Sequence, residues 1–498
     1  MTSLWQATAP RPETDPWPGG ASCEVLVVGA GLTGLATAHA LVQQGLDVVV
    51  LEAREVGGVT TARTTGKVSL LQGTTLSRIR SKAGPEAVRR YVEANRVGMQ
   101  WWLDVIGEGP ALQRRPALTY ATTKKGKHSL TQEWQAATEA GLPVQALGGE
   151  AMEYPVPAIA VMRLGDQLQA HTLIALEQLA REIRAGGGRI VEGVRVMGLK
   201  SGTPHEARTD HGPLLARTVV LATGMPILDR GMHFARLEPQ RSYAQSYRLP
   251  GGVPPQGMYL SADSPSRSIR SVPVDGEEVL LVGGNGHTVG RDPHPQGNVD
   301  DLRHWTQEVF PGAEELHSWS AQDYRSEDGI PVVGPLTGED PTLLCASGFG
   351  KWGMSNGAAA ALALAGWVTG DVPEWARLYQ ERGNAGSRLV SLGRINAEVT
   401  AHLARGWASG MASTLPEQPP AEGEGVVGRD GASMVACSTV DGQTHKVSAV
   451  CTHLGGKLNW NDAEMSWDCP LHGSRFGADG RVLEGPATSP LKEPLKEQ

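Results

Sequence analysis

Two short stretches near the C-terminus each pair a thiol with an imidazole. Cys451-Thr-His453 is followed, fifteen residues later, by Cys469-Pro-Leu-His472. Two thiolates and two imidazoles on facing loops can clasp a metal centre from opposite sides. With both thiolates on one iron and both imidazoles on a second, the set fits a two-iron, two-sulfide cluster. The same four donors also suit a Cys₂His₂ zinc site. Gly455, Gly456 and Gly473 permit the tight turns such loops need, and Pro470 stiffens one of them. The other three cysteines are Cys23, Cys345 and Cys437. Five in 498 residues are too few for a disulfide scaffold, and Cys345 and Cys437 are expected in the core.

A second constellation lies near the N-terminus. Val25–Val28 is an unbroken apolar run suited to a buried parallel strand. It enters Gly29-Ala-Gly31-Leu-Thr-Gly34. A helix is then expected through Leu41, and a second strand, Val48–Leu51, ends on Glu52. Gly29 allows the turn, Gly31 lets backbone approach a pyrophosphate, and Gly34 lets helix and strand pack closely. The helix N-terminus offers free N–H groups to phosphate, and Glu52 can accept from ribose hydroxyls. This is a dinucleotide site, and no second one is found. Gly283-Gly-Asn-Gly286 follows an expected strand but opens no helix, and reads as a turn on the substrate side. An NAD(P)H site is therefore not expected.

These groups need elements to hold them. Residues 1–22 read as a loose tail, 23–409 as a large core that holds the dinucleotide site, 410–425 as a Pro-rich linker, and 426–498 as a small all-β domain. A helix is expected near 168–187 and another from about Asn356. Strands are expected near 194–199, 218–222, 242–249 and 278–282. The net charge of −8 is spread along the chain and does not suggest a nucleic-acid surface. No secretory signal is evident at the N-terminus. Ala358–Val368 is too short to span a bilayer. A cytoplasmic protein without a transmembrane segment is expected.

Thr218–Gly224 resembles the strand and turn that close over the dinucleotide in two-dinucleotide-fold flavoproteins, and Asp328–Gly334 with Ser347–Gly357 resembles the flavin-contacting stretch of the D-amino-acid oxidase/glycine oxidase/sarcosine oxidase superfamily. The resemblance covers roughly residues 23–405. Cys-x-His-Leu-Gly-Gly with Cys-Pro-x-His-Gly-Ser resembles Rieske proteins closely and zinc fingers poorly. Together they imply FAD and a [2Fe–2S] Rieske cluster. The implied fold is an α/β FAD-binding Rossmann-type domain (near 23–75, 165–230 and 325–405) with an inserted mixed β-sheet substrate domain (within 75–165 and 230–325). A C-terminal all-β Rieske domain follows. By the same resemblance the loop Gly57–Lys67, with Thr61, Arg63 and Lys67, wraps the flavin, and Val196 meets the adenine through its backbone. Gly224 closes over the dinucleotide, and Gly350, Trp352, Gly353 and Met354 contact the flavin. The extra cysteines of some respiratory Rieske proteins are replaced by Gly456 and Leu471. Ser474 keeps a hydroxyl near the cluster, whereas Phe476 stands in place of a tyrosine. An intermediate potential is expected, within about −150 to +300 mV.

The superfamily resemblance implies oxidation of a C–N bond in an amine or amino-acid-like substrate, with hydride passing to flavin. The C-terminal cluster then converts electron pairs to single electrons for a carrier such as a ferredoxin, or for a quinone. Candidate catalytic residues are Arg241, Tyr243, His287, Lys351 and Trp352. Alternation puts Arg241, Tyr243, Gln245 and Tyr247 on one strand face, and Arg241, Arg267 or Arg270 could clamp a carboxylate. His171, at a helix start, reads as structural. Two other readings stay open: a flavoenzyme reduced from outside through its cluster, and a redox module without catalysis.

Overall fold

Valine- and leucine-rich runs with no polar alternation build the first sheet, because strands covered on both faces need no polar side. In the computed structural model, Ser22–Val28 pairs in parallel with Val48–Leu51 and with Gly212–Leu221, and the latter pairs in parallel with Leu343–Ser347. Arg189–Val191 and Val332–Pro335 close the two ends of this row, and Val196–Lys200 and His205–Thr209 extend it beside Gly212–Leu221. The structure describes residues 1–228, 230–338, 340–381 and 385–494. Helices Leu32–Val42 and Gly353–Thr369 pack together within the sheet's main core. Gly98 makes the close approach of a third helix, Pro85–Trp101, feasible: a Cβ there would sit 2.1 Å from Ser355 O.

The inserted domain is a nine-stranded mixed sheet. Its long antiparallel strands Leu237–Arg248, Glu277–Thr288 and Glu314–Ser326 lie together at one end. Helix Pro295–Val309 covers one face, where Val299 and Leu302 join Tyr243, Tyr247 and Tyr259 in a buried cluster. Gly283–Gly286, expected as a turn, lies inside the strand Glu277–Thr288. The glycines there make room for neighbours: a Cβ on Gly286 would meet Lys351 Nζ at 2.2 Å.

Two small sheets form the C-terminal domain. One contains Gly425–Asp430, Ser433–Val440 and Gln443–Ser448, and the other runs from Asn459–Asn461 to Val482–Glu484. Trp467, Phe476 and Leu458 fill its core. Cys437 and Cys345 are buried strand residues, as expected.

Two segments differ from expectation. Residues 1–22 include a helix, Leu4–Thr8, capped by Ser3. Trp5 is fully buried, donates to Thr64 O at 2.6 Å and lies against Arg270. Burying a side chain that size stabilises by about 2–3 kcal/mol, enough to order a helix with little strength of its own. The stretch 410–425 is not a free linker. Helix Ala385–Ala412 runs into it, and its backbone is tied to the small domain by Leu415 N to Arg429 O (3.0 Å) and Gly423 N to Thr439 O (2.8 Å). No helix among the described residues is long and apolar enough to cross a membrane.

Candidate functional site

A cavity of about 560 Å³ runs from Glu52 and Val196, past the glycine turn, to Lys351 and Trp352. Gly29, at φ +105°, has no room for a Cβ, which would lie 2.6 Å from Ala222 O; one on Gly34 would lie 1.9 Å from Gly29 O. On Gly31 it would meet only Thr61 Oγ1, at 3.3 Å, so that face is open to the cavity. Thr61 also accepts from Leu32 N at 3.1 Å, at the start of helix Leu32–Val42. Glu52 accepts from Ala30 N (2.9 Å) and Arg54 N (3.0 Å). Burial raises its carboxyl, against the pull of those amides. A bare glycine turn at a helix N-terminus, facing a long cleft with an acid beyond it, fits the pyrophosphate and ribose of FAD.

At the other end the chain turns through Gly350 (φ +60°) and Lys351 (φ +73°) into helix Gly353–Thr369. Trp352, Gly353 and Met354 line the cavity there, as do Arg63 and Gly224. Lys351 N donates to Asp323 at 2.6 Å. Burial pushes the Asp323 carboxyl up to about 6, and burial, with Arg325 nearby, pushes the Lys351 amine down to about 8. Lys67 donates to Tyr259 O (3.1 Å) and to the Ser268 hydroxyl. Burial, helped by Arg270, lowers it to about 7.

Sequence reasoning missed Arg78. Helix Thr75–Ala83 brings it to the cavity wall, and its buried Nε has no hydrogen-bond partner among the described residues. Glu133 anchors that helix by accepting from Leu76 N (2.9 Å) and Ser77 N (2.7 Å). No motif marks a lone arginine on a short polar helix, so the sequence carried no signal for it.

The expected substrate strand has the right alternation and the wrong face. Gln240, Ser242 and Ala244 border the cavity. Of the odd-numbered residues, Arg241, Gln245 and Tyr247 turn the other way. Gln245 donates to Val299 O at 3.0 Å, and Tyr247 packs beside Val299. Arg241 is fully buried and donates to Glu464 (2.6 Å), Gln322 (3.1 Å) and the Ser320 hydroxyl. It is therefore not a substrate clamp: its charge is committed to a carboxylate of the C-terminal domain. Tyr243 borders the cavity, but its hydroxyl lies 3.0 Å from His287 Nε2, and the two rings stack. Arg267 pairs with Asp301 at 2.7 Å, and Arg270 donates to Ala170 O at 3.1 Å and lies over the Trp5 ring; neither lines the cavity, so neither is a clamp there. His171 caps helix Thr172–Ala185 and meets Thr8 Oγ1 at 2.9 Å, a structural role.

In the C-terminal domain the loops after Cys451 and Cys469 close alike. Gly455 N donates to Cys451 O and Gly473 N to Cys469 O, both at 3.1 Å, with both glycines at positive φ. The Cys451 and Cys469 thiols lie in contact, and the His453 and His472 rings stand 5.1 Å apart at 86°. Separate sulfur and nitrogen pairs suit two irons. A Cβ on Gly456 would lie 2.8 Å from Leu471 Cδ1, so these two positions face each other without sulfur. Ser474 Oγ accepts from Ala487 N at 3.0 Å. The ring of Phe234, from the core, meets the His472 ring edge-on at 5.3 Å.

The two domains are docked. Arg475 pairs with Asp468 (2.9 Å), Glu484 (3.0 Å) and Glu464; Arg241 reaches both Glu464 and Glu484, the latter at 3.5 Å. Arg63, beside the cavity, lies 3.7 Å from Glu464. Gln322 donates to Gly473 O (2.8 Å), next to His472, while its own carbonyl accepts from Thr60 Oγ1 (2.6 Å) in the loop expected to wrap the flavin.

A dinucleotide cavity and a paired-ligand cluster domain, locked together, define a two-cofactor redox protein. Residues 24–367 match the FAD dependent oxidoreductase family and residues 412–494 the Rieske [2Fe-2S] domain. The chain belongs to the FAD dependent oxidoreductase family and carries a C-terminal Rieske domain; it is an FAD-dependent oxidoreductase with a [2Fe–2S] cluster. It is 30% identical to the putative Rieske 2Fe-2S iron-sulfur protein YhfW of Bacillus subtilis, over 99% of this chain and 97% of that one. Among solved structures it is similar to glycine oxidase from Geobacillus kaustophilus (TM-score 0.60, 22% identity, 71% of this chain and 96% of that one). It is also similar to L-proline dehydrogenase from P. horikoshii (TM-score 0.59, 18% identity, 72% and 96%).

Proposed function

We propose that the chain oxidises the C–N bond of an amine bearing a carboxylate, and delivers the electrons singly to a carrier such as a ferredoxin, or to a quinone. The observation that carries this reading is the cationic end of the cavity. Arg78, Lys67 and Lys351 line it together, and Arg78 Nε has no partner of its own. A guanidinium there can hold a carboxylate by charge-assisted hydrogen bonds. The lowered lysines can shed their protons near neutral pH, which makes either able to take the proton of a bound ammonium. Asp323, held by Tyr324 N and Lys351 N, positions the Lys351 turn. The names glycine oxidase and L-proline dehydrogenase of two fold neighbours support an amino-acid-like substrate. When bound, FAD supplies a two-electron acceptor and the cluster a one-electron one. Gln322, joining the flavin-wrapping loop to the His472 loop, holds the two sites in fixed register.

The second reading, reduction from outside through the cluster, would use the same docked geometry in the opposite sense. Absorbance spectra under exclusion of oxygen separate the two. Amines, N-methyl amino acids and cyclic imino acids are added to the oxidised protein. Flavin bleaching followed by loss of the iron–sulfur bands is expected. No bleaching with any of them, but rapid flavin reduction by a reduced ferredoxin, would overturn the proposal in favour of the second reading.

A further inference from the structure

The cavity has a wall that the FAD-binding core does not supply. At its Glu52–Val196 end, where the acid and the glycine turn set the adenosine half, Leu483, Glu484, Gly485, Ala487 and Thr488 line the opposite side. These residues belong to the last strand and the tail of the C-terminal domain. They are fastened to the core at three points. Arg195 Nη2 donates to Val482 O (3.4 Å), Thr488 Oγ1 to Met197 O (3.3 Å), and Tyr324 OH to Gly485 O (3.2 Å). Glu484, buried in the Arg475–Arg241 network, also sets a negative charge near Arg54 on the facing wall.

The same wall is tied to the cluster loop. Ala487 N donates to Ser474 Oγ at 3.0 Å, and Ser474 O accepts from Cys469 N at 2.8 Å. A loop that loses its cluster loses the constraint that holds Cys469 to Ser474 in place. The residue presenting Ala487 to the cavity then loses its anchor. We infer that the Rieske domain is a structural part of the FAD site: segment Leu483–Thr488 walls the adenosine half, and Ser474 makes FAD retention depend on cluster assembly. The inference is independent of substrate and of the direction of electron flow, so it stands or falls apart from the proposed activity.

The test uses the full chain, stripped of FAD and reconstituted, and reads binding rather than turnover. Amide hydrogen exchange is compared in the FAD-free, FAD-loaded and FMN-treated protein, since FMN lacks the adenosine half. Exchange at 483–488 is expected to slow about tenfold or more with FAD and not with FMN. Exchange that is the same in all three overturns the wall. FAD titration by flavin fluorescence is then run on cluster-loaded and cluster-depleted protein. The dissociation constant is expected to rise about tenfold or more without the cluster. A value unchanged within about twofold overturns the coupling. Ser474→Ala, which keeps all four ligands, is titrated alongside. If depletion unfolds the chain, weakening in this variant supports the tie, and an unchanged constant refutes it.

Discussion

Replacing Glu464 by glutamine tests whether docking rests on the buried charge network. The Glu464 side chain is 5% exposed and sits among Arg241 (0%), Arg475 (3%) and Arg63. The substitution keeps the shape and removes one charge. Arg475 retains Asp468 at 2.9 Å and Glu484 at 3.0 Å, but Arg241 retains only Glu484, at 3.5 Å. Breaking a buried pair costs about 3–5 kcal/mol. With two of three carboxylates left, about 3 kcal/mol is expected, roughly a hundredfold in the folding constant. Urea unfolding of the full chain, followed by cluster circular dichroism and flavin fluorescence, measures it. Glu277→Gln in the exposed pair with Arg248 is the control and should cost less than about 1 kcal/mol. The pH dependence adds a second readout. Burial raises the Glu464 carboxyl, but Arg241, Arg475 and Arg63 outweigh it and hold it well below the usual range. Its folded value is thus below its unfolded value. Its contribution is complete above about pH 5 and fades as pH falls below the unfolded value near 4.3. The gap between wild type and variant should narrow in acid. A loss no larger than the control's, or a gap that does not change with pH, would refute an electrostatic clasp.

Three further outcomes are expected. Gly34→Ala places a Cβ 1.9 Å from Gly29 O and should weaken FAD binding about tenfold or more, read by fluorescence titration. Arg78→Gln should lower kcat/KM for a carboxylate-bearing amine about a hundredfold, yet change it little for the matching amine without the carboxylate. Lys67→Met bears on pH: the buried amine falls from 10.5 to about 7 on folding, so the unfolded chain binds more protons between those values. Stability of the FAD-free protein should therefore rise from pH 7 towards 10, and thermal melts of the variant should show a flatter rise.

The chemistry that depends on close spacing was legible. The turn Gly29–Gly34 with Glu52, and the two Cys/His pairs, are local patterns, and the FAD and [2Fe–2S] families they pointed to are the ones the chain matches. What depends on tertiary partners was not. Alternation along Leu237–Arg248 puts Arg241 and Tyr243 on one face, but period two does not say which face meets the cavity. The answer comes from Glu464, 223 residues further on, which draws Arg241 away. Arg78 is one arginine among many until Helix Thr75–Ala83 is docked. Gly283–Gly286 resembles a turn by composition and is a strand because Lys351 and the neighbouring strands need the space. A proline-rich stretch looks alike whether it swings or is stitched to Arg429 and Thr439, as it is here. Helix Leu4–Thr8 is too short for periodicity to show, and forms because Trp5 has a site to fill.

The docked Rieske domain changes what can limit the protein's speed. Where a carrier domain must travel between stations, solvent viscosity and molecular crowding set a ceiling on turnover. Here the His472 loop is held by Gln322 and flanked by Phe234 before any electron moves. In the relay proposed above, exchange between the two cofactor sites would then be a property of fixed separation and driving force. Under that proposal, diffusion enters only at the two ends, in the arrival of a small molecule at the cavity and of an electron carrier at the cluster.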